Sequence, residues 1–306
     1  MVGASLRAAQ GAPLIELRRC ATADELLALA GEFLAAREAE HNLIFGILGS
    51  IRRDPDACGG GAPYLAAIAK HGTTVGVVVR TPPYGPVLSQ LEDLAVVDVV
   101  AEDLARVTDD LAGVLGPRDA AARFADRWSA LTGVGAHRIM EERIYCAESA
   151  ALPTNAHGTS RGFASSDREL VLSWLDAFAG EALPDEAPRH DSAGWLERRL
   201  ADPDGEVLLW EDGETTVSLA ASGQATPTGL RVGPVYTPPE HRRRGYGAAV
   251  TATVTARALT RGRRLCFLFT DLANPTSNAI YQRIGYRPVC DVDQWSFRLV
   301  TVTAKR

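Results

Sequence analysis

The sequence predicts an α/β (α+β) chain of two tandem domains, each a mixed, mostly antiparallel sheet flanked by helices. Three observations carry that reading. The chain has 306 residues, more than one typical domain holds. A small, polar, breaker-rich stretch at 149–160 reads as a linker and divides it into halves, 1–150 and 151–306. The same order of elements runs through both halves, as an internal duplication would leave it.

In the first half, 23–33 is an amphipathic helix and 64–79 a hairpin turning at His71 and Gly72. A strand over 75–83 then stops at Thr-Pro-Pro, 120–128 is a helix, and 138–145 is a closing strand. In the second half, 167–178 is a helix and 206–220 a hairpin turning at Asp212 and Gly213. A strand over 228–237 again stops at Thr-Pro-Pro, since Pro238 and Pro239 cannot donate to a ladder. A helix begins near Gly247, where Val250, Val254 and Ala258 recur every fourth residue; Arg257 and Arg261 fall in its last turn, and Gly262 stops it. The run 265–272 is a strand, 278–283 lies in a helix that matches 120–128, and 294–300 closes the half. Thr276 or Ser277 can cap that helix and Gly285 can end it.

Chemistry concentrates in the turn after the second Thr-Pro-Pro. Gly245 and Gly247 let the backbone turn tightly and present bare N–H groups. The helix start adds partial positive charge, and Arg242, Arg243 and Arg244 add full charges. Together they predict an anion site suited to a pyrophosphate. A Walker A loop needs Lys and Ser or Thr where Ala248 and Ala249 stand. A dinucleotide fingerprint needs a third glycine and an early position in the chain. The pattern R-x-x-G-x-G after a strand fits Arg242, Gly245 and Gly247 directly.

That loop resembles the coenzyme A pyrophosphate loop of the GNAT superfamily, the acyl-CoA-dependent N-acyltransferases. The downstream block Asn274-x-x-x-Asn278-x-x-Tyr281, followed by Ile284-Gly285-Tyr286, is similar to the second cofactor-side motif of the same superfamily. The resemblance is tight over about 205–300 and weak over 1–150.

It implies an N-acetyltransferase that moves an acetyl or other short acyl group from acetyl-CoA to an amino group of a small molecule or peptide. Backbone groups of Val235, Tyr236 and Thr237 are implied to hold the pantetheine arm. Arg242, Arg243, Arg244, Gly245, Tyr246, Gly247 and Ala248 are implied to hold the pyrophosphate, with Asn274 and Asn278 on the cofactor side. Tyr281 matches the tyrosine that protonates the departing thiolate. No carboxylate lies on 228–237 to act as general base, which leaves Asp271 and Glu181 as candidates. Simpler roles stay open: Asn274 and Asn278 as turn and cap residues, Tyr281 as a core aromatic, Asp271 as an anchor for the Asn274 turn. A CoA-responsive binding or regulatory module without transfer activity is the alternative function.

The first half carries no basic glycine turn. Its 96–105 stretch is instead read as an acidic loop with Asp98, Glu102 and Asp103, which would repel a pyrophosphate. Gly59, Gly60 and Gly61 read as a flexible connector. This half is therefore expected to be a degenerate GNAT-like domain without a cofactor loop.

The formal net charge of −6 argues against general nucleic-acid or anionic-membrane binding. No run of 18 apolar residues occurs, and the amino terminus lacks a signal peptide's apolar core. Five scattered cysteines (Cys20, Cys58, Cys146, Cys266, Cys290) without a C-x-x-C pair fit a reducing cytoplasm, and Cys266 is expected to be a small buried hydrophobe. The six histidines form no metal-ligand spacing, so no metal is expected.

Overall fold

The computed structural model describes residues 15–54, 61–154, 156–182 and 191–298. Cys58, Gly59, Gly60 and Val300, and the amino-terminal residues read for a signal peptide, lie outside the described residues. The chain forms two compact units. One holds Met1–Glu142 and Cys290–Arg306, the other Arg143–Val289. The expected boundary in the 149–160 linker therefore differs from the observed division, which cuts through two strands.

In the first unit the elements are β1 (Ile15–Arg19), α1 (Ala23–Ala36), α2 (Asn42–Arg53), β2 (Tyr64–Lys70), β3 (Thr73–Arg80), β4 (Val87–Leu88), α3 (Ala95–Leu104), β5 (Gly113–Pro117) and α4 (Arg118–Thr132). β6 (Gly135–Ala147) begins here. The later part of β12 (Arg287–Arg298) also belongs to this unit and pairs antiparallel with β5 from Val292 to Ser296. Strands run in the order β1-β2-β3-β4-β5-β12. β2 and β3 form the hairpin expected at His71 and Gly72, with Lys70 opposite Thr73. Alternation along β2 sends Leu65 and Ala67 into a core with Leu26, Leu34 and Leu48 of α1 and α2. Ala66 and Ile68 enter the opposite core with Val97, Phe124 and Trp128 of α3 and α4.

The presumed acidic loop at 96–105 is a helix, α3. Val96, Val97, Val100, Ala101 and Leu104 give it an apolar face at helical spacing, which outweighs its acids. Those acids are paired: Asp98 with Arg123 at 2.5 Å, Glu102 with Arg127 at 2.5 Å, and Asp103 with Arg19 at 2.7 Å. Buried Asp103 also accepts from the Tyr64 hydroxyl at 2.8 Å.

The second unit holds β7 (Thr159–Gly162), α5 (Arg168–Ala182), α6 (Ser192–Ala201), β8 (Glu206–Asp212), β9 (Thr215–Gly223), β10 (Gly229–Tyr236), α7 (Tyr246–Thr260), β11 (Leu265–Asp271) and α8 (Pro275–Arg283). Its strand order is β6-β11-β10-β9-β8-β7. The β8–β9 hairpin turns one residue later than expected, through Gly213 and Glu214, because Asp212 is already paired with Thr215. Val207 and Leu209 pack on α5 and α6, through Val171, Trp174, Leu175 and Leu196. Leu208 and Trp210 face the other way, onto Val250 and Val254 of α7. Cys266 is fully buried there, the small hydrophobe its strand context predicted.

The start of α5 depends on one carboxylate. Asp167 accepts the Ala164 N–H at 2.7 Å and two hydrogen bonds from Arg161, at 2.6 and 2.9 Å. Arg161 also reaches Glu211 on β8, so the helix entry is tied to the sheet. The guanidinium, more than the backbone N–H, holds the Asp167 carboxyl below its ordinary value of 3.8. A depressed carboxyl contributes stability that is present above its unfolded value and lost as pH falls through the folded one. Asp167→Asn is expected to cost about 1–3 kcal/mol at neutral pH. Its stability should also change less than the wild type's as pH falls below about 4. Urea titrations at several pH values measure both.

Candidate active site

The site grows from two parallel strands that start together and separate. β10 pairs with β11 at Gly229–Leu265, Leu230–Cys266 and Arg231–Phe267, and no further pair forms. Beyond Arg231 the β11-facing edge of β10 has no ladder partner in that strand. On its other edge β10 stays paired with β9, through an irregularity between Val232 and Val235 that contains Gly233 and Pro234. Ser218 on β9 reinforces the strand end, donating to the Tyr236 carbonyl at 2.9 Å and bonding Thr237 Oγ1 at 2.8 Å. The expected backbone stretch Val235, Tyr236 and Thr237 thus lies at the free end of β10.

The chain then passes through Pro238 and Pro239 into the basic turn. Gly245 is the N-cap of α7 and adopts φ +86°, so its lack of a side chain is needed. Gly247 has another reason to be small. It does not take a positive φ but lies in the first turn of α7, where a Cβ would come within 3.2 Å of Thr237 Oγ1. The second left-handed residue of the turn is Arg243, at φ +65°. Arg243, Arg244, Gly245, Tyr246, Gly247 and Ala248 therefore present successive N–H groups for which no acceptor exists among the described residues. The first helical hydrogen bond comes only with Ala249, donating to the Gly245 carbonyl at 3.0 Å. Such a row of donors at a helix start can accept an anion.

Side chains around the loop are less uniform than their sequence order. Arg243 and Arg244 are exposed. Arg242 turns back: its Nε donates to the Thr237 carbonyl at 2.8 Å and its Nη2 meets Glu181 at 2.5 Å. Glu181 also accepts from the Tyr236 hydroxyl at 3.0 Å, so this base candidate is occupied by a phenol and a guanidinium. Tyr246 does not reach toward a ligand. Its ring is buried in the core beside Val250, and its hydroxyl bonds Asp212. Only its backbone belongs to the loop.

Across the gap, α8 follows β11. Asn274 caps it, with Oδ1 accepting from Ser277 N–H at 3.0 Å, so the cap is neither Thr276 nor Ser277. Asn278 donates to the carbonyls of Asp271 and Asn274, both at 2.8 Å, and accepts from Tyr145 at 3.0 Å. Both asparagines thus do structural work that fixes the helix start. Asp271 anchors the same turn, accepting from Ala273 N–H at 2.8 Å. Tyr281 is half-buried and packs edge-on against Tyr286, ring centroids 6.1 Å apart. Among the described residues its hydroxyl has no hydrogen-bond partner. Burial pushes that phenol up to about 12.

The first unit repeats this plan with the first N–H groups of its helix already taken. β4 pairs parallel with β5 at Val87–Leu115. Just past β4, the Gln90 N–H is taken by His41 Nε2 at 3.0 Å. At the start of α3, Ala95 N–H donates to the Asp93 carboxylate at 3.0 Å, Val96 N–H to the Asp93 carbonyl and Val97 N–H to that of Leu94. Lys70 holds Asp93 at 2.6 Å. Sequence reasoning missed Asp93, His41 and Tyr145. An Asp two residues before a helix was the one available signal for Asp93.

Residues 212–296 match the FR47-like protein family. Known structures share the fold over most of the chain. A GCN5-related N-acetyltransferase from Kribbella flavida superposes with a TM-score of 0.56 at 19% identity, covering 84% of this chain and 97% of that one. A Drosophila protein reaches 0.65 at 15% identity, covering 92% and 98%. A tandem GNAT protein from the clavulanic acid biosynthesis pathway reaches 0.52 at 14% identity, covering 93% and 98%. No curated protein sequence matches the chain.

The environment of Tyr281 can be read in solution. A raised phenol favours the folded state below its ordinary value of 10.0, and that contribution is lost as pH rises through about 12. Subtracting the alkaline absorbance titration of Tyr281→Phe from that of the wild type is expected to leave one phenolate appearing near pH 12. A difference curve centred near 10 would mean a solvated hydroxyl.

Proposed function

From a chain with the tandem GCN5-related N-acetyltransferase fold, we propose an acetyltransferase whose second unit binds acetyl-CoA and transfers the acetyl group to an amine of a small molecule or peptide. One observation carries the reading: six successive N–H groups, from Arg243 to Ala248, without an acceptor among the described residues, beside a strand end that has left its partner β11. The diphosphate supplies the anion such a loop lacks. The pantetheine arm is itself an amide chain, and it can bond the open backbone edge of Val235, Tyr236 and Thr237 as an added strand does. Arg243 and Arg244 supply charge to the phosphates.

In the reaction the amine nitrogen attacks the thioester carbonyl carbon, the C–S bond breaks, and the nitrogen gives up a proton. A backbone N–H of β10 can stabilise the carbonyl oxygen as negative charge develops. Tyr281 is the group assigned to the departing sulfur. Its phenol, at about 12, is a weaker acid than a thiol near 8.5, so complete transfer is several powers of ten uphill. The hydroxyl therefore works best as a donor to the developing thiolate, with solvent completing protonation. With no hydrogen-bond partner among the described residues, it is available for that bond. Asp271 and Glu181 are both engaged within the protein, which favours solvent as the acceptor of the amine's proton.

The first unit is assigned no cofactor, because Asp93 already supplies a carboxylate at the start of α3 and His41 closes the edge beyond β4. Calorimetric titration with acetyl-CoA is expected to give one molecule per chain. Gly245→Val, which forces a branched side chain onto φ +86°, should weaken binding strongly while the protein stays folded. Two molecules per chain, or unchanged affinity in folded Gly245→Val, would remove the loop from this role.

Tyr281→Phe deletes one hydroxyl and leaves the ring contact with Tyr286. CoA release with an amine substrate is expected to slow at least about tenfold, the loss of one hydrogen bond to a charged group. Acetyl-CoA affinity should be nearly unchanged. Full activity in this variant would return leaving-group stabilisation to water.

A further inference from the structure

Helix α8 is nine residues long and contains no fully buried residue. A helix this short does not hold its own geometry in water, so neighbouring elements must fix its orientation. Ile284, just past its end, supplies apolar packing. The polar contribution comes from Tyr145, on the part of β6 that belongs to the second unit. Its ring is fully buried and contributes to the same core as Tyr286.

The Tyr145 hydroxyl makes two bonds, and both go to α8. It donates to Asn278 Oδ1 at 3.0 Å and accepts from Gln282 Nε2 at 3.0 Å. These amides are four residues apart on one helix face, with Tyr281 between them. Asn278 extends the clamp to the end of β11 through the Asp271 carbonyl. A phenylalanine would fill the same volume. Only a hydroxyl can meet an acceptor and a donor at once, so the polar match requires tyrosine.

We infer that Tyr145 is a positioning residue for Tyr281: its hydroxyl sets the rotation of α8, and thereby the place where the Tyr281 hydroxyl emerges. This inference rests on the reading of Tyr281 given above. Misplacing a reacting group by about 1 Å costs about a hundredfold in rate. Loss of the clamp is thus expected to lower kcat by about ten- to a hundredfold, with the KM for acetyl-CoA unchanged, because β10 and α7 are not touched.

The test uses the full chain labelled with fluorotyrosine, with the Tyr281 fluorine resonance identified by its absence in Tyr281→Phe. In Tyr145→Phe that resonance is expected to shift or broaden, while acetyl-CoA affinity holds and kcat falls, measured with whichever amine from a panel releases CoA fastest. Leu208→Val, in the same core, controls for lost stability and should leave the resonance in place. Gln282→Leu removes one of the two bonds from an exposed position and should shift the resonance in the same way, by a smaller amount. It keeps the test open if Tyr145→Phe does not fold. An unaltered Tyr281 resonance in folded Tyr145→Phe, or in Gln282→Leu where the former does not fold, would overturn the inference. Full activity of Tyr281→Phe would instead remove the acid assignment and leave the clamp standing.

Discussion

Everything distinctive in the second unit follows from the failure of two parallel strands to stay paired. Once β10 leaves β11 after Arg231, the backbone groups on that edge lose the partners that a sheet interior normally guarantees. A fold tolerates such an edge only where water or a ligand can reach it. The separation also sends the two following helices to different tasks. α7 opens with donors that lack acceptors among the described residues, whereas α8 opens with a cap and a pair of asparagine-to-carbonyl bonds. One gap thus acquires a side that lacks partners and a side that is rigidly fixed.

The first unit shows that the fold alone does not leave a row of open donors. Its strands and helices follow the same order, and β4 and β5 also make a brief parallel contact. There the opening is healed from within: a carboxylate and two carbonyls take the first N–H groups of α3, and an imidazole takes the one just past the strand. Burial lowers the His41 ring's proton affinity, and its Nδ1 lies 3.0 Å from the Leu34 carbonyl. A neutral imidazole donating there leaves Nε2 as the acceptor that Gln90 requires.

Much of this was legible in the chain. The duplicated order, the hairpin at His71 and Gly72, and the left-handed Gly245 follow from breaker residues and periodicity, which act locally. The acidic 96–105 stretch misled because charge was weighed without its partners; Arg19, Arg123 and Arg127 come from elsewhere in the sequence and pair the acids of what is a helix. Gly247 was singled out for a tight turn, whereas it is the closeness of Thr237, a tertiary fact, that calls for a small residue there. Tyr246 belonged to the motif by position but to the core by side chain. Tyr145, 133 residues before Asn278, carried no sequence signal for its two bonds. Contacts of that separation become visible only once the strands are in place.

The bond between Arg242 and Glu181 has a consequence for how the loop responds to salt. Three adjacent guanidiniums suggest a steep dependence of anion affinity on ionic strength. One of them is already neutralised, and an arriving polyanion would have to displace that carboxylate before gaining the third charge. The displaced pair is half-exposed and worth about 0–1 kcal/mol, so the exchange is nearly balanced. Electrostatic attraction is thus set by two arginines and the fixed backbone dipoles, and the dipoles keep their orientation at any salt concentration. An anion bound to a loop built this way would be held by geometry more than by charge.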